Sequence, residues 1–166
     1  MTVRLGELDG LSAEFIQKNG NQKGTIFYIH GGGFTVGSVR ERRAVCQYIT
    51  ANYGYNCVTF NYRLAPENLW PAPLEDCLTA YTALLKNGVS PKNVVFMGES
   101  AGGTLVLSLA LLLDDSKALY EKLKKQGHQT ALDIRHGVCH AFQVFTAMPE
   151  ARQAFAVVFR TLEEWI

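Results

Sequence analysis

The feature that most constrains the fold is the pentapeptide at residues 98–102, in which glycines stand two positions before and after Ser100. It follows an apolar run at residues 93–98, typical of a buried strand, and opens an apolar segment from Ala101, typical of a helix. Small residues around such a turn let a strand and a helix pack closely, and the turn itself holds the serine in a strained backbone conformation. We therefore predict a strand, a sharp turn and a helix, with Ser100 as a candidate nucleophile; a serine that only caps the helix is the alternative.

Strands and helices alternate along the rest of the chain. A β-hairpin is predicted first, because Asp9 and Gly10 separate two short runs of alternating hydrophobicity. Apolar runs indicate further strands at residues 25–30, 56–61, 93–98 and 130–136. Helices are predicted at residues 40–52, 74–86, 101–126 and 149–166. This order predicts an α/β fold, with a mainly parallel sheet, helices on both faces and an N-terminal β-hairpin.

Composition limits the classes of partner. A chain of 166 residues with 48% hydrophobic and 19% charged residues fits a single domain over residues 1–166. The 16 basic side chains nearly balance 15 acidic ones, so we expect no nucleic-acid partner. No apolar stretch approaches the ~20 residues of a membrane span, so no membrane insertion is expected. The four cysteines are unpaired in sequence and no secretory leader is evident, which favours reduced thiols and a cytoplasmic protein.

A glycine-rich segment at residues 30–34 follows the first predicted central strand. Consecutive glycines allow backbone N–H groups to turn towards a developing negative charge, and preorganised donors of this kind contribute strongly to catalysis. The amides of Gly31, Gly32 and Ala101 are the predicted oxyanion donors. A flexible turn is the alternative, and His30 is interpreted as a structural hydrogen-bonding residue beneath the loop.

The candidate general base is His140, in the loop at residues 137–142 after the last predicted strand. A histidine within reach of a serine hydroxyl can accept its proton as the serine attacks. The order of Ser100 before His140 agrees with this arrangement. We interpret His128 and His136 as loop or surface residues.

Four motifs stand in order along the chain: HGGGF at 30–34, NYRLAPE at 61–67, GESAGG at 98–103 and GVCHAF at 137–142. Together they resemble those of the hormone-sensitive-lipase-like esterases, the α/β-hydrolase fold-3 group. The resemblance implies an α/β-hydrolase fold and carboxylester hydrolysis through an acyl-enzyme, with no metal and no organic cofactor.

Residue roles follow from the same resemblance. It implies Ser100 as nucleophile and His140 as base. It also implies oxyanion donors at Gly31, Gly32 and Ala101. The expected substrate is a small-molecule ester with a short acyl group.

Two further sets of residues belong to this interpretation. A shallow acyl pocket is expected, lined by Phe34, Trp70 and Phe142. Arg63 and Glu67, in the second motif, are interpreted as structural ion-pair partners rather than catalysts.

The resemblance also implies that this chain is internally shortened, with two core strands and the cap missing between the nucleophile helix and the histidine. The register of the family's triad acid falls on Ala110. We therefore expect the acid to be absent and the activity to be attenuated, because an oxyanion hole and substrate binding still catalyse without a complete triad. The competing interpretation is a catalytically inactive remnant that acts as a binding or assembly protein.

Other carboxylates are weaker candidates for the acid. Asp114 would lie about 21 Å from Ser100 along a continuous helix at about 1.5 Å per residue. Asp114 and Asp115 are better interpreted as the cap and first turn of a helix. Asp133 and Glu99 are less suitable still.

Loss of two strands would leave the strand at residues 93–98 at a sheet edge, with unpaired amides. Either the strand predicted at residues 130–136 lies beside it, or a second subunit covers it. In the second case we expect a homodimer, in which C-terminal elements could be exchanged.

Overall fold

The computed structural model describes residues 1–20, 22–113, 144 and 146–165. Five strands are present in this part of the chain: β1 Thr2–Leu8, β2 Leu11–Gln17, β3 Gly24–Ile29, β4 Tyr55–Phe60 and β5 Val94–Gly98. Its α-helices are α1 Val39–Tyr53, α2 Ala72–Lys86, α3 Ala101–Leu113 and α4 Pro149–Trp165, and a short 3-10 helix covers Pro91–Asn93. All of these α-helices and strands were predicted, within a few residues at each end except the last end of α3, where the predicted continuation to residue 126 lies outside the described residues. The strand predicted at residues 130–136 lies outside the described residues.

Two compact units divide the chain, residues 1–109 and residues 110–166. The first holds the sheet, α1, α2 and most of α3, and the second holds α4. A single domain over residues 1–166 stays a prediction.

The N-terminal hairpin has the turn that its sequence indicates. Asp9 and Gly10 both have positive φ, 52° and 85°. Positive φ at both central residues is the type I′ geometry, whose twist matches that of the flanking strands. Leu8 and Leu11 are therefore paired directly across the turn, which confirms the predicted β-hairpin.

The sheet is mixed, with the strand order β1-β2-β4-β3-β5. β2 pairs antiparallel with β1 and with β4, whereas β3 pairs parallel with β4 and with β5. The parallel half brings the carboxyl ends of β3 and β5 together, with Ile29 opposite Gly98. The two glycine-containing motifs leave the sheet from these two residues, so the register of this pair places them side by side.

Aromatic side chains fill the interface between the sheet and α2. Phe27 of β3 is fully buried, with its ring centroid 5.0 Å from that of Phe60 and 5.7 Å from that of Phe96. Tyr81 of α2 meets Phe27 edge-on at 5.9 Å. Full burial of one such side chain contributes about 1.5–3 kcal/mol, so this cluster anchors α2 on the sheet.

The opposite face of the sheet packs on α1. Phe27 lies opposite Val58 in β4, and Glu14 lies opposite the next residue, Thr59. Successive residues of a strand point to opposite faces, so Glu14 points away from the aromatic cluster. Its buried carboxylate accepts two hydrogen bonds from Arg43 of α1. Helices therefore cover both faces, as predicted.

β5 is the last strand in the sheet order within the described part of the chain. All five of its residues are half-buried, unlike those of β3, which is buried over its last four positions. Among the described strands, β5 thus occupies the edge position that the sequence predicts.

α4 is the main described element of the second unit. Its apolar side joins Ala151, Ala154 and the adjacent Met148, and Phe155 stacks with Phe159 at 6.4 Å. Within α4, Ala154 is buried, whereas Val158 is 38% exposed.

The described cysteines are free and buried, at positions 46, 57 and 77. Cys139 lies outside the described residues. None of the helices in the described ranges combines the length and the apolar character that crossing a membrane requires.

Candidate active site

The glycine loop and the serine turn are in direct contact. A methyl group at Gly31 would lie 3.1 Å from Ser100 Cβ and 2.6 Å from the Glu99 carbonyl oxygen. Only a glycine fits between the two segments at this separation. The structure therefore joins the first and third sequence motifs into one site.

Ser100 sits on the predicted strained turn. Its φ is 54°, in the left-handed region that residues other than glycine rarely adopt, and the residue is exposed. The turn closes at once into α3, because Glu99 O accepts the Gly102 N–H at 2.9 Å and Ser100 O accepts the Gly103 N–H at 3.0 Å. The serine hydroxyl is thus presented at the start of a helix.

The glycine loop is shaped by Gly32, whose φ is 126°. Its carbonyl oxygen accepts the N–H groups of Thr35 and Val36 at 3.1 and 3.0 Å. A side chain at Gly32 would collide with the Val36 carbonyl oxygen. Beyond this turn, Phe34 O accepts the Ala65 N–H at 2.8 Å, which ties the second motif to the loop.

Glu99 points inwards, beneath the site. Its Oε1 accepts the Gly31 N–H at 2.7 Å and Arg42 Nε at 2.6 Å, and its Oε2 accepts the Tyr28 hydroxyl at 2.6 Å. The carboxylate is 10% exposed and the Arg42 side chain 17%. Burial, and then the Glu99 carboxylate, raise the pKa of Tyr28, so its hydroxyl keeps the proton that it donates.

This arrangement changes the predicted role of Gly31. Its N–H was predicted to be an oxyanion donor, but it donates to the Glu99 carboxylate instead. Within the described residues, no acceptor contacts the N–H groups of Gly32, Gly33 or Ala101. Of the predicted donors, Gly32 and Ala101 therefore remain available.

His30 is fully buried under the glycine loop, as its interpretation as a structural residue requires. Its ring stacks on Tyr62, with centroids 4.2 Å apart. Nδ1 lies 2.8 Å from Gly31 O, and because a carbonyl oxygen only accepts, Nδ1 carries the proton. The Tyr62 hydroxyl donates to His30 O at 2.8 Å. Burial lowers the pKa of His30 from its ordinary 6.5, so the ring is neutral.

Arg63 anchors the second motif to α2. Its backbone N–H donates to Asp76 Oδ2 at 2.8 Å and its Nε to Oδ1 at 2.9 Å. Arg63 Nη2 also contacts the exposed carboxylate of Glu75 at 3.2 Å. Arg63 is an ion-pair partner, as predicted, but the carboxylates that it contacts are those of Asp76 and Glu75 and not that of Glu67. Sequence analysis did not single out Asp76. Its position among the apolar residues on the buried side of α2 was the signal that could have indicated a buried ion pair.

Several predicted residues lie outside the described part of the chain. These are His140, Phe142, Asp114, Asp115, Asp133, His128 and His136. Ala110, in the register of the triad acid, is half-buried. Of the predicted pocket residues that are described, Phe34 is half-buried and Trp70 is 59% exposed.

Sequence reasoning missed Arg42. Three arginines occur within four residues on α1, and nothing in the sequence indicates which of them binds Glu99. In the structure Arg43 binds Glu14, whereas Arg42 binds Glu99.

Known proteins resemble this chain in sequence and in fold. An esterase from Acinetobacter venetianus is 32% identical over 117 residues, which are 70% of this chain and 39% of that protein. An acetyl-hydrolase from Streptomyces hygroscopicus is 31% identical over 105 residues, or 63% of this chain and 35% of that protein. This chain thus spans well under half the length of these relatives.

The fold comparison agrees. The crystal structure of an esterase from the bacterial hormone-sensitive lipase family has a TM-score of 0.82 to this structure at 23% identity, covering 98% of this chain and 84% of that one. The sequence model for the alpha/beta hydrolase fold matches residues 26–116, which is more than half of the chain and includes the glycine loop and the serine turn. The chain therefore belongs to the α/β-hydrolase fold family, in the fold-3 group of hormone-sensitive-lipase-like esterases.

Proposed function

We propose that this protein is a serine carboxylester hydrolase that acts on short acyl esters through an acyl-enzyme. The observation that carries the proposal is the position of Ser100, exposed and in a left-handed conformation, against a glycine loop whose Gly32 amide has no acceptor in the described residues. A nucleophile and oxyanion donors in contact are the two elements that acyl transfer needs.

The proposed reaction begins with attack of Ser100 Oγ on the ester carbonyl carbon. As the C–O bond forms, His140 accepts the hydroxyl proton and the carbonyl π electrons move to oxygen. The amides of Gly32 and Ala101 donate to this oxyanion, and the start of α3 adds the partial positive charge of a helix N-terminus. Collapse of the intermediate expels the alkoxide, which takes the proton from His140.

Water completes the cycle. His140 removes a proton from a water molecule that attacks the acyl carbon, and the resulting intermediate releases the carboxylic acid and restores the Ser100 hydroxyl. No metal or organic cofactor takes part in this scheme.

The proposed substrate class rests on the relatives and on the surface near the site. An esterase and an acetyl-hydrolase are among the similar proteins. Val36, just after the glycine loop, and Trp70, in the segment between β4 and α2, are 63% and 59% exposed, so both present apolar surface to solvent. An open apolar surface favours short acyl groups over long chains, which need an enclosed pocket.

We propose that turnover is slow, because the register of the triad acid falls on Ala110. Glu99 is a poor substitute, because its two carboxylate oxygens already accept three hydrogen bonds beneath the site. Oxyanion donors and a positioned serine still accelerate acyl transfer when one triad member is missing.

The test is covalent labelling with a fluorophosphonate, read by intact mass, together with hydrolysis of p-nitrophenyl acetate. Ser100→Ala and His140→Ala should both abolish labelling and turnover. The matched controls are Ser90→Ala, an exposed serine outside the site, and His136→Ala, which should behave as wild type. Circular dichroism would show that each variant is folded. A folded wild-type protein that neither labels nor turns over would contradict the proposal and favour an inactive scaffold.

A further inference from the structure

The Glu99 carboxylate connects the glycine loop to α1 without facing the substrate side of the site. We propose that Glu99 is a positioning residue, which holds the Gly31 amide and thereby directs the Gly32 N–H towards the ester carbonyl. The inference rests on the proposed esterase function and adds to it a residue that lies beside the nucleophile but does not touch the substrate.

Two consecutive peptide groups of the loop are fixed from below. The first, between His30 and Gly31, has its carbonyl held by the Tyr62 hydroxyl at 2.8 Å and its N–H held by Glu99 at 2.7 Å. The second, between Gly31 and Gly32, has its carbonyl held by His30 Nδ1 at 2.8 Å.

The remaining polar atom of these two peptide groups is the Gly32 N–H. In a planar trans peptide the C=O and N–H point in opposite directions. Since Gly31 O points at the buried His30 ring, the Gly32 N–H points away from it. Gly31 itself lies against Ser100 Cβ. We therefore infer that the Gly32 N–H lies on the side of the loop that faces the serine. Glu99 fixes the first peptide, and the orientation of the second depends on it.

A carboxylate is needed at position 99 because three hydrogen-bond donors converge on this side chain. Oε1 accepts from Gly31 and Arg42, and Oε2 accepts from Tyr28. Arg42 neutralises the charge in a largely buried place and ties it to α1. The donors thus come from the loop, from α1 and from β3, while Glu99 itself follows β5.

Two substitutions separate hydrogen bonding from charge. In Glu99→Gln the amide oxygen can still accept from Gly31 and Arg42, while its NH₂ group can donate to the Tyr28 hydroxyl oxygen. In Glu99→Met the side chain has similar length but no strong acceptor, so the Gly31 N–H loses its partner. Glu99→Met combined with Arg42→Met also removes the unpaired buried cation.

The kinetic experiment measures kcat and KM for p-nitrophenyl acetate with these three variants and wild type. Loss of a whole oxyanion donor costs about 10²–10³ in kcat, so a misdirected one in Glu99→Met should cost about 10–100-fold, with KM within about 3-fold. Glu99→Gln should stay within about 5-fold of wild type. The double variant should regain thermal stability but keep the low kcat. Recovery of kcat in the double variant would overturn the proposal, because it would show that Glu99 only neutralises Arg42.

Amide hydrogen exchange by NMR gives a readout that does not require turnover. The Gly31 N–H should be protected in wild type and in Glu99→Gln, and should exchange at least 10-fold faster in Glu99→Met and in the double variant. Equal protection in all four proteins would overturn the proposal. If wild type proves inactive, the proposed function fails by itself, and the exchange rates still decide whether Glu99 holds the loop.

Discussion

Gly102 packs directly on the carbonyl oxygen of Ile29, at the point where α3 leaves the serine turn. A methyl group there would collide with this oxygen and would lie 2.7 Å from the carbonyl oxygen of His30. Both atoms are backbone, so neither can move aside cheaply. Gly102, the second glycine of the pentapeptide, is therefore a packing requirement between β3 and α3.

The first prediction follows from this contact. Gly102→Ala should lower the free energy of unfolding by about 2–3 kcal/mol, as overpacking does, measured by urea denaturation. Gly103→Ala is the control, because its methyl group would meet Gly98 O at an ordinary 3.4 Å. That variant should be neutral or gain up to about 1 kcal/mol from helix propensity. Equal changes in the free energy of unfolding for both substitutions would contradict the close contact of Gly102 with the backbone of β3.

The second prediction concerns the conformation of Ser100. With φ at 54°, any residue with a Cβ is strained there by about 1–2 kcal/mol, and glycine is not. Ser100→Gly should therefore unfold at a higher temperature than Ser100→Ala, which keeps the Cβ and removes the same hydroxyl. Both variants should be inactive. If the two melting temperatures coincide, the left-handed conformation does not persist in solution.

The third prediction concerns pH. Burial lowers the pKa of His30 below its ordinary 6.5, so the unfolded chain binds a proton that the native protein does not. Stability from this residue is complete above pH 6.5 and declines as the pH falls from there through the lowered native pKa. His30→Asn should show a smaller loss of stability between pH 7.5 and pH 5 than wild type, by urea unfolding at each pH. An identical loss in both proteins would show that His30 does not contribute.

The fourth prediction compares the two carboxylates that bind Arg63. Asp76 is 5% exposed and accepts both the backbone N–H and Nε, whereas the Glu75 side chain is 60% exposed. Asp76→Ala should lower the urea midpoint clearly, because it leaves the segment after β4 without its anchor on α2. Glu75→Ala should leave the midpoint within error, as exposed ion pairs contribute little. A larger drop of the urea midpoint in Glu75→Ala than in Asp76→Ala would show that Asp76 is not the main anchor of Arg63.

The sequence indicates the framework because its signals are local. Asp9 and Gly10 define the hairpin, and the short apolar runs define β3, β4 and β5. Ser100 could be found for the same reason, since a strand, a glycine turn and a helix are consecutive in the chain. These features depend on residues a few positions apart.

The partners of Glu99 are not local, and this is why they could not be predicted. Its donors at Arg42, Gly31 and Tyr28 are 57, 68 and 71 positions away. The direction of the Gly31 amide depends on that tertiary contact, so the sequence placed it among the oxyanion donors. The choice of Arg42 rather than Arg43 depends on which side of α1 meets the end of β5.

The pairing of Ile29 with Gly98 has a consequence for how this protein can vary. The two loops of the site leave the sheet from this pair, so their relative position depends on the number of residues in β3 and β5 up to Ile29 and Gly98. One inserted residue in either strand would shift one loop by about 3.3 Å relative to the other and turn its side chains to the opposite face. Helices and outer loops can therefore change in length during evolution or engineering, while the lengths of these two strands, up to the residues where they end, cannot.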